Sequence, residues 1–508
     1  MKVERTKNTG RNVIWGVANQ IIVLGFPFII RTIMIWSLGT NYLGLNGLFS
    51  SVIQMLNLTE LGFSAAIVYS LYKPIAEDDE TTVSAYLAYY RKVYKIIGFI
   101  ILAAGLILTP FLPFFVKKDV PEEINIYILY IIYIVNTAVS YLLFAYKECL
   151  LTAHQRNDVI SRINILVKTG LYTAQIIVLV FLKNYYCYTF LMLLSTVINS
   201  VLVSHFVSQM YPEITCKGNL SKTQKVELQK QVRGLMVSKI AATTRNSFDN
   251  IIISAAIGLT AVGVYSNYYY IISSVQGIML IFCNSMQAGV GNSVAIESVD
   301  KNYQDCKNFT YIYQWIAGIA FVCIMTFYQP FMRIWTGEEN MLPFGMVILM
   351  SVYFYLLTVG DIPSIYINAT GIWDKYKAKS VVEALGNLFL NLILVRHFGL
   401  YGVVVATLIT RLFCGILWGN SILFNEYFGK EKAKDFYRDL ILYFLYAVFC
   451  AAFLQFVFCD IISFWDLITA GFVAVISVSL FFVVPYRRTD RFKAACGYFK
   501  RIVRMKEE

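Results

Sequence analysis

The residues best suited to chemistry in this sequence are charged side chains within long apolar segments. A charge at the centre of a bilayer is costly, so such a residue usually faces a partner or a water-filled cavity. Arg245 and Arg411 are the deepest, about 18 Å and about 14 Å along their predicted helices at a rise of about 1.5 Å per residue. Arg411 has no acid nearby on its own helix, so it requires a partner on another helix or an anionic ligand.

Arg245 belongs to a predicted helix with polar residues along most of its length. Arg245 and Asp249 are four residues apart and share a helix face. They could form a self-neutralising pair that lets the helix insert into the membrane. The alternative is a polar stripe that lines a water-filled path, with these members at spacings of three or four residues: Lys239, Thr243, Asn246, Asp249 and Asn250. The length of the stripe favours the path over a single ion pair.

The other embedded charges lie nearer the predicted membrane surfaces. Four bases could extend along their helices to reach water: Arg31, Lys95, Lys168 and Lys239. Four acids accompany the six embedded bases: Glu60, Asp249, Asp361 and Glu383. The positive surplus favours an anionic substrate, although each shallow charge could equally have a structural role. Asp249, Glu60 and Asp361 are candidates for proton or sodium exchange, because a carboxylate in a low-dielectric site can gain or lose a proton.

The composition places these charges in a membrane protein. Of the 508 residues, 58% are hydrophobic and 15% are charged, with a mean hydropathy of +0.61. A soluble chain carries about 25% charged residues, so a soluble multidomain enzyme is excluded. The ten Cys and three His residues form no metal-binding motif, and no phosphate-binding loop of the ATPase type is present. We therefore expect neither a metal nor a cofactor.

We predict an all-α integral membrane protein with about 14 spanning helices, since each span needs about 20 mostly apolar residues. The predicted spans are 12–35, 42–72, 92–116, 124–146, 163–182, 188–210, 234–257, 263–295, 309–332, 343–370, 380–395, 402–425, 440–458 and 467–485. The second, eighth and tenth are long enough to tilt or kink, and the eleventh is short.

Two further patterns concern the membrane surfaces. Residues 77–92 begin with acids and suit either an amphipathic helix on the inner surface or a solvated loop. The tyrosine clusters at 185–186 and 268–270 are interpreted as interfacial belts, and the alternative is that they stack on sugar rings.

The distribution of basic residues predicts the orientation. With the N-terminus in the cytoplasm, the inner segments hold 32 of the 43 Lys and Arg residues and the outer loops hold five. Such a bias is a strong positive-inside signal, and it places both termini in the cytoplasm. The net charge of +12 is thereby explained without a nucleic-acid partner.

An internal repeat predicts how the helices are organised. Residues 38–45 (LGTNYLGL) resemble residues 257–264 (IGLTAVGV) at an offset of 219 residues, and both lie on predicted outer turns. The two halves would be parallel repeats, unless the two glycine turns are alike by chance. The predicted domains are an N-terminal lobe, a linker, a C-terminal lobe and a final helix pair with a basic tail: 1–215, 216–233, 234–428 and 429–508.

Several motifs resemble the bacterial polysaccharide flippases of the superfamily that also contains multidrug extruders and oligosaccharide-lipid exporters. They lie at residues 43–49 (LGLNGLF), 60–63 (ELGF), 69–74 (YSLYKP), 249–254 (DNIIIS), 265–268 (YSNY) and 335–339 (WTGEE). Phe248 and Ser64 depart from the pattern, and Phe248 could alter the lining near Asp249. The resemblance covers nearly the whole chain.

The resemblance implies two six-helix lobes around a central cavity and transport by alternating access. It implies a substrate in the inner leaflet of the bacterial cytoplasmic membrane, an undecaprenyl-pyrophosphate-linked oligosaccharide for O-antigen, lipopolysaccharide or capsule assembly. Arg245 or Arg411 could neutralise the pyrophosphate, with Lys239, Lys168 and Arg31 as further bases of the cavity. Membrane lipids, H+ or Na+, and polymerase or glycosyltransferase machinery are the other possible partners.

Two other classes of protein remain as alternatives. An ion-coupled multidrug or small-molecule antiporter of the same fold would show deep acids that outweigh the bases, which the sequence does not show. A membrane enzyme, such as a polysaccharide polymerase, would need a catalytic His or acid pair or a large outer loop. Because His residues are few and the outer loops are short, we expect that the protein is not an enzyme.

Overall fold

The computed structural model describes residues 5–57, 63–116, 118–458, 463–489 and 492–493. Within these ranges, the side chains of residues 5–10, 13, 65, 145, 230, 231, 233–246, 288 and 464 are outside the description. Regular structure in the described residues is helical throughout, without strands.

The helices are as follows, in chain order: α1 (Arg5–Ser37), α2 (Thr40–Leu56), α3 (Phe63–Ala76), α4 (Glu80–Leu108), α5 (Leu112–Phe115), α6 (Ile126–Leu142), α7 (Glu148–Ala153), α8 (Asn157–Ile177), α9 (Tyr185–Met210), α10 (Lys222–Ala256), α11 (Leu259–Ile296), α12 (Val299–Thr336), α13 (Phe344–Val359), α14 (Asp361–Thr370), α15 (Trp373–Phe398), α16 (Leu400–Thr410), α17 (Gly419–Leu423), α18 (Ala433–Val457) and α19 (Phe464–Tyr486). Three π-helical segments interrupt this pattern: Val178–Leu182, Arg411–Trp418 and Phe424–Phe428.

The helices define a multi-pass membrane protein. In the described part of the chain, 11 helices are long and apolar enough to cross a membrane. The three remaining predicted spans correspond to α2 with α3, to the 17-residue α6 and to the more polar α10. The all-α class is therefore confirmed, while the number 14 and the symmetry of the two halves stay predictions.

Most spans begin earlier than the hydropathy pattern predicts, and three of them serve as examples. The helix predicted from residue 92 begins as α4 at Glu80, where the Asp79 carboxylate accepts a hydrogen bond from the Thr82 N–H. The inner-surface segment is thus continuous with a span, and its apolar face is buried in the core: Val83, Leu87, Tyr90 and Tyr94. The helices predicted from 163 and 380 begin at Asn157 and Trp373.

Contacts divide the chain into two compact units, 1–266 and 267–508. In the first unit, one core cluster lies among α3, α4, α7, α8 and α9, and a second lies among α1, α2, α6 and α9. In the second unit, α12 packs against α13, α18 and α19. The buried Lys307–Asp439 ion pair, at 3.2 Å, joins α12 to α18. The predicted lobe and linker boundaries stay predictions.

The repeated glycine turns meet within the first unit. A Cβ atom on Gly44 of α2 would lie 2.0 Å from the Leu259 carbonyl oxygen at the start of α11. Reciprocally, a Cβ on Gly263 of α11 would lie 2.4 Å from the Thr40 carbonyl oxygen at the start of α2. Thr260 Oγ1 donates to Asn41 Oδ1 at 2.8 Å, between residues that are one repeat offset apart. The two turns therefore form a local, reciprocal contact that only glycine permits.

Candidate functional site

Several predicted site residues lie outside the described part of the molecule. Glu60 is outside the described residues altogether. Lys239, Thr243, Arg245 and Asn246 lie on the backbone of α10, but their side chains are outside the description. Their roles as cavity lining or ion-coupling residues stay predictions.

The described end of the α10 stripe packs against a neighbouring helix. Ser247 Oγ donates to Gln54 Oε1 at 3.1 Å, and Asn250 Nδ2 donates to Ser51 Oγ at 3.0 Å. Asp249 is buried, and one of its carboxylate oxygens lies 3.5 Å from the Tyr265 hydroxyl. For this end of the stripe, the structure shows a hydrogen-bonded contact between helices.

Two predicted basic residues lie inside the first unit. Arg31 of α1 donates from Nη1 to Ser266 Oγ at 3.3 Å. Lys168 lies 11 residues after the start of α8, or about 16 Å along it, within a candidate membrane span. Its ammonium lies 6.0 Å from the centre of the Tyr172 ring, and no carboxylate in the described part of the chain lies within salt-bridge distance. Lys168 is therefore a charge within a candidate membrane span that faces an aromatic ring, and its depth in the membrane stays a prediction.

A tyrosine network adjoins these basic residues. The Tyr133 hydroxyl donates to Asn46 Oδ1 at 2.7 Å and lies 3.2 Å from the Tyr185 hydroxyl. Tyr185 stacks on Tyr188 at 5.4 Å. The interpretation of the tyrosine clusters as interfacial belts is wrong for Tyr185 and Tyr268, because both are buried in the protein interior. The tyrosine pair at 185–186 was the sequence signal, but the burial of Tyr185 depends on helix packing.

The second unit holds a buried charge network built around Glu383. The Lys379 ammonium lies 2.7 Å from Glu383 Oε2, one turn away on α15. Arg411 Nη1 lies 3.9 Å from Glu383 Oε1, and Arg411 Nη2 donates to the Leu357 carbonyl oxygen at 3.2 Å. Arg411 thus has an acidic partner on another helix, one of the two possibilities that the sequence left open.

Local backbone features make room for the Arg411 side chain. Arg411 is the first residue of a π-helical segment, a geometry that is frequent at functional sites. A Cβ on Gly415 would lie 3.0 Å from Arg411 Cδ, and one on Gly360 would lie 3.2 Å from Arg411 Nη2. The two glycines therefore admit the guanidinium between helices.

Asp361 is held by two neutral donors. The Tyr313 hydroxyl and the Gln276 amide each donate to Asp361 Oδ2 at 2.7 Å. The carboxylate is only 9% exposed, and it follows Gly360, where the tenth predicted span breaks into α13 and α14. Both donors stabilise the ionised form of the Asp361 carboxyl group. The predicted exchange of H+ or Na+ would require this ionised form in one state of the cycle.

A polar cluster that the sequence reasoning missed lies beside Glu383. Asn387 Nδ2 donates to the hydroxyls of Thr407 and Thr410 at 3.1 Å and 3.3 Å, and Asn391 donates to Asn387. The four-residue spacing of the two asparagines was the available signal. Among the described residues, no three His, Cys, Asp or Glu side chains form a metal-binding group.

Two cavities open on the first unit at the end predicted to face the cytoplasm. The larger, of about 500 Å³, is lined mostly by α3, α4 and α10 and includes the exposed Tyr69 and Tyr72. The smaller, of about 270 Å³, is lined by acidic residues and by His154. The His154 ring lies 4.3 Å from the Tyr211 ring, and Nδ1 lies 2.9 Å from the Leu150 carbonyl oxygen.

His154 predicts a pH dependence of stability. Burial lowers the pKa of its imidazole, so the unfolded chain takes up a proton first as the pH falls through about 6.5. The folded state therefore loses stability as the pH falls through about 6.5 and below. His154→Asn is expected to reduce that loss in thermal unfolding, whereas His205→Asn, at an exposed site, is the control. An undiminished pH dependence in His154→Asn would contradict this assignment.

Comparison with solved structures shows which known proteins have a similar fold. A lipid II flippase MurJ in an inward closed conformation aligns with a TM-score of 0.67 and 14% identity over 94% of this chain and 99% of that one. An inward-facing multidrug resistance MATE family transporter of the MOP superfamily aligns with 0.60 and 16% identity over 79% and 94%. A MOP superfamily transporter from Pyrococcus furiosus aligns with 0.57 and 15% identity over 80% and 94%. The chain has the fold of these proteins.

The sequence itself gives the family. The profile of the polysaccharide biosynthesis protein family matches residues 9–285, more than half of the chain. The chain belongs to this family, and the resemblance seen in the sequence motifs is confirmed. No curated protein matches the chain in sequence. The family and the fold confirm the prediction that the protein is not an enzyme.

Proposed function

We propose that the protein flips an undecaprenyl-pyrophosphate-linked oligosaccharide from the inner to the outer leaflet of the cytoplasmic membrane. The observation that carries this proposal is Lys168, an ammonium within a candidate membrane span that faces the Tyr172 ring and, among the described residues, no carboxylate. A charge in this position is costly unless an anion accompanies it. A pyrophosphate would be that anion. Because the chain belongs to the polysaccharide biosynthesis protein family, we infer that the substrate also carries sugars.

The aromatic and polar groups around Lys168 suit an amphiphilic substrate. Tyr172 stacks on Phe26 at 5.4 Å, so the ammonium lies beside an aromatic surface. Arg31, on the same helix as Phe26, adds a second base within the first unit. Charge-assisted contacts to phosphate oxygens would hold the head group, while the polyprenyl tail stays in the bilayer.

Transport would proceed by alternating access, with both termini in the cytoplasm. The reciprocal contact of Gly44 and Gly263 lies at the predicted outer end of α2 and α11, where tight packing would seal the outer side. Opening toward the outer leaflet would separate these turns. Asp361, together with Asp249 and Glu60, would exchange H+ or Na+ if transport is ion-coupled. Polymerase and glycosyltransferase machinery would supply the substrate and consume the product.

Loss of the gene tests the proposal directly. In a deletion strain, lipid-linked oligosaccharide is expected to accumulate in the inner leaflet, and the surface O-antigen or capsule is expected to disappear. The second candidate, a multidrug antiporter, is favoured by the MATE fold. It would instead give normal polysaccharide and greater sensitivity to toxic compounds. That second outcome would reject the flippase.

Substitution of the embedded bases tests their role. Lys168→Ala is expected to reduce surface polysaccharide by on the order of tenfold at equal protein level, because about 1.4 kcal/mol of lost substrate interaction is a tenfold effect. Lys73→Gln, which removes an exposed base paired with Glu77, is the matched control. Arg245→Ala and Arg411→Ala extend the test to the deepest bases. Normal polymer from all three embedded variants would contradict a role of these charges in substrate passage.

A further inference from the structure

A second concentration of positive charge lies where α1 and α8 begin. Asp158, which is fully buried, is surrounded by three guanidinium groups, here called the arginine cluster: Arg11, Arg156 and Arg162. Arg156 Nε lies 2.9 Å from the carboxylate, and Arg11 and Arg162 lie 3.7 Å and 3.8 Å from it. Among the described side chains of the cluster, one carboxylate and three guanidiniums leave two positive charges in excess.

The backbone around the cluster is fixed by a single side chain. Asn12 Oδ1 accepts the Asp158 N–H at 2.7 Å, and Asn12 Nδ2 donates to the Gln155 carbonyl oxygen at 3.0 Å. The start of α1 is thereby joined to the turn before α8. The cluster is a preorganised structure, so a ligand would find its charges already in place.

The cluster lies at the predicted level of the lipid head groups. The spans predicted from hydropathy begin at residues 12 and 163, next to Arg11 and Arg162. The Arg162 guanidinium lies 4.5 Å from the centre of the Trp15 ring, and Trp is enriched at the membrane interface.

Exposed apolar residues continue from the two outer arginines. Ile14 follows Arg11 by three residues and is 68% exposed, and Leu166 follows Arg162 by four residues and is 67% exposed. Such residues share a helix face with the arginine that precedes them. Arg11 and Arg162 are themselves 38% and 43% exposed, so part of each guanidinium is accessible beside the carboxylate.

We propose that the arginine cluster binds the phosphate head group of an acidic membrane lipid, whose acyl chains lie along Ile14 and Leu166. Arginine presents five N–H donors in a planar array, and one carboxylate cannot satisfy three such groups. Basic pockets between membrane helices on the cytoplasmic side bind anionic head groups in this way. The same phosphate chemistry could come from bulk phosphatidylglycerol or from the pyrophosphate of a polyprenyl lipid.

The proposal is tested with the full-length protein purified in a neutral detergent. Phosphatidylglycerol is expected to raise the thermal unfolding temperature by at least about 3 °C, and phosphatidylcholine to leave it unchanged. Arg11→Gln/Arg162→Gln, which keeps the Arg156–Asp158 pair, is expected to weaken the phosphatidylglycerol response about tenfold in concentration. Arg91→Gln/Lys92→Gln removes two exposed bases of α4 and is the matched control.

Undecaprenyl pyrophosphate is tested as the third ligand. It distinguishes a site for bulk phosphatidylglycerol from a site for a polyprenyl pyrophosphate. A variant-sensitive response to it alone would assign the site to a polyprenyl pyrophosphate, and a response to phosphatidylglycerol would assign it to bulk lipid. Arg162→Gln alone is the milder variant if the double variant fails to fold. Equal responses of wild type and variants to both lipids would overturn the proposal. Because the readout is lipid binding, its failure would leave the transport proposal untouched.

Discussion

Alanine in place of Gly44 is expected to break the contact between the two repeated turns and to abolish most polysaccharide export. Its Cβ would lie 2.0 Å from the Leu259 carbonyl oxygen, and a backbone atom at this distance must move. Overpacking of this kind costs about 1–3 kcal/mol. Because the cost falls on the conformation in which the turns touch, the population of that conformation is expected to fall by on the order of tenfold or more.

The repeat supplies a second variant with the same expected effect. Gly263→Ala places a Cβ 2.4 Å from the Thr40 carbonyl oxygen, so both alanines oppose the same contact from opposite sides. Gly25→Ala is the control, because no atom lies within 4 Å of its added Cβ and alanine favours a helix by about 0.5–1 kcal/mol. Thermal unfolding and surface polysaccharide are measured for all three. Wild-type stability and export in Gly44→Ala and Gly263→Ala would show that transport does not depend on this contact.

The sequence identified the two glycine turns as a repeat, but it did not predict that they touch or where the helices begin. The glycines recur at a fixed offset, and two turns of similar sequence adopt similar backbones that can pack reciprocally. Helix starts were predicted late at α8 and α15, because a hydropathy scale counts every charge as a cost. In the structure, Asp158 is neutralised by its arginines and Lys379 by Glu383, so the helices extend through these residues.

The partners of the embedded charges could not be predicted from one sequence. Arg411 and Glu383 lie on different helices, and their contact depends on how α15 is rotated against the π-helical segment that follows α16. Helical periodicity fixes which residues share a face, but it does not fix which neighbour that face meets. Lys168 and Tyr172 are four residues apart on α8, so the sequence does show that they share a face, but the contact between ammonium and ring also depends on their rotamers.

Replacement of Glu383 by Leu is expected to be the most destabilising single substitution in the second unit. It removes the carboxylate 2.7 Å from the Lys379 ammonium and 3.9 Å from Arg411, in a site where Glu383 is 3% exposed and Lys379 is 8% exposed. Removal of one partner from a buried ion pair costs about 3–5 kcal/mol, because the remaining charge keeps its desolvation penalty. Thermal unfolding of the purified protein measures the loss.

Replacement of Lys379 and replacement of Glu383 are expected to cost unequal amounts of stability. A double-mutant cycle measures how strongly the two residues are coupled. Lys379→Met leaves Glu383 with Arg411 at 3.9 Å, so it should cost less than Glu383→Leu, which removes the common partner of both bases. Lys379→Met/Glu383→Leu replaces a charged pair by apolar side chains and should recover much of the stability, since such replacements are often nearly neutral. If the double variant is as unstable as the sum of the single variants, the pair is not coupled. The charge of Glu383 is then needed chiefly by Arg411, and Arg411→Met/Glu383→Leu should show the recovery instead.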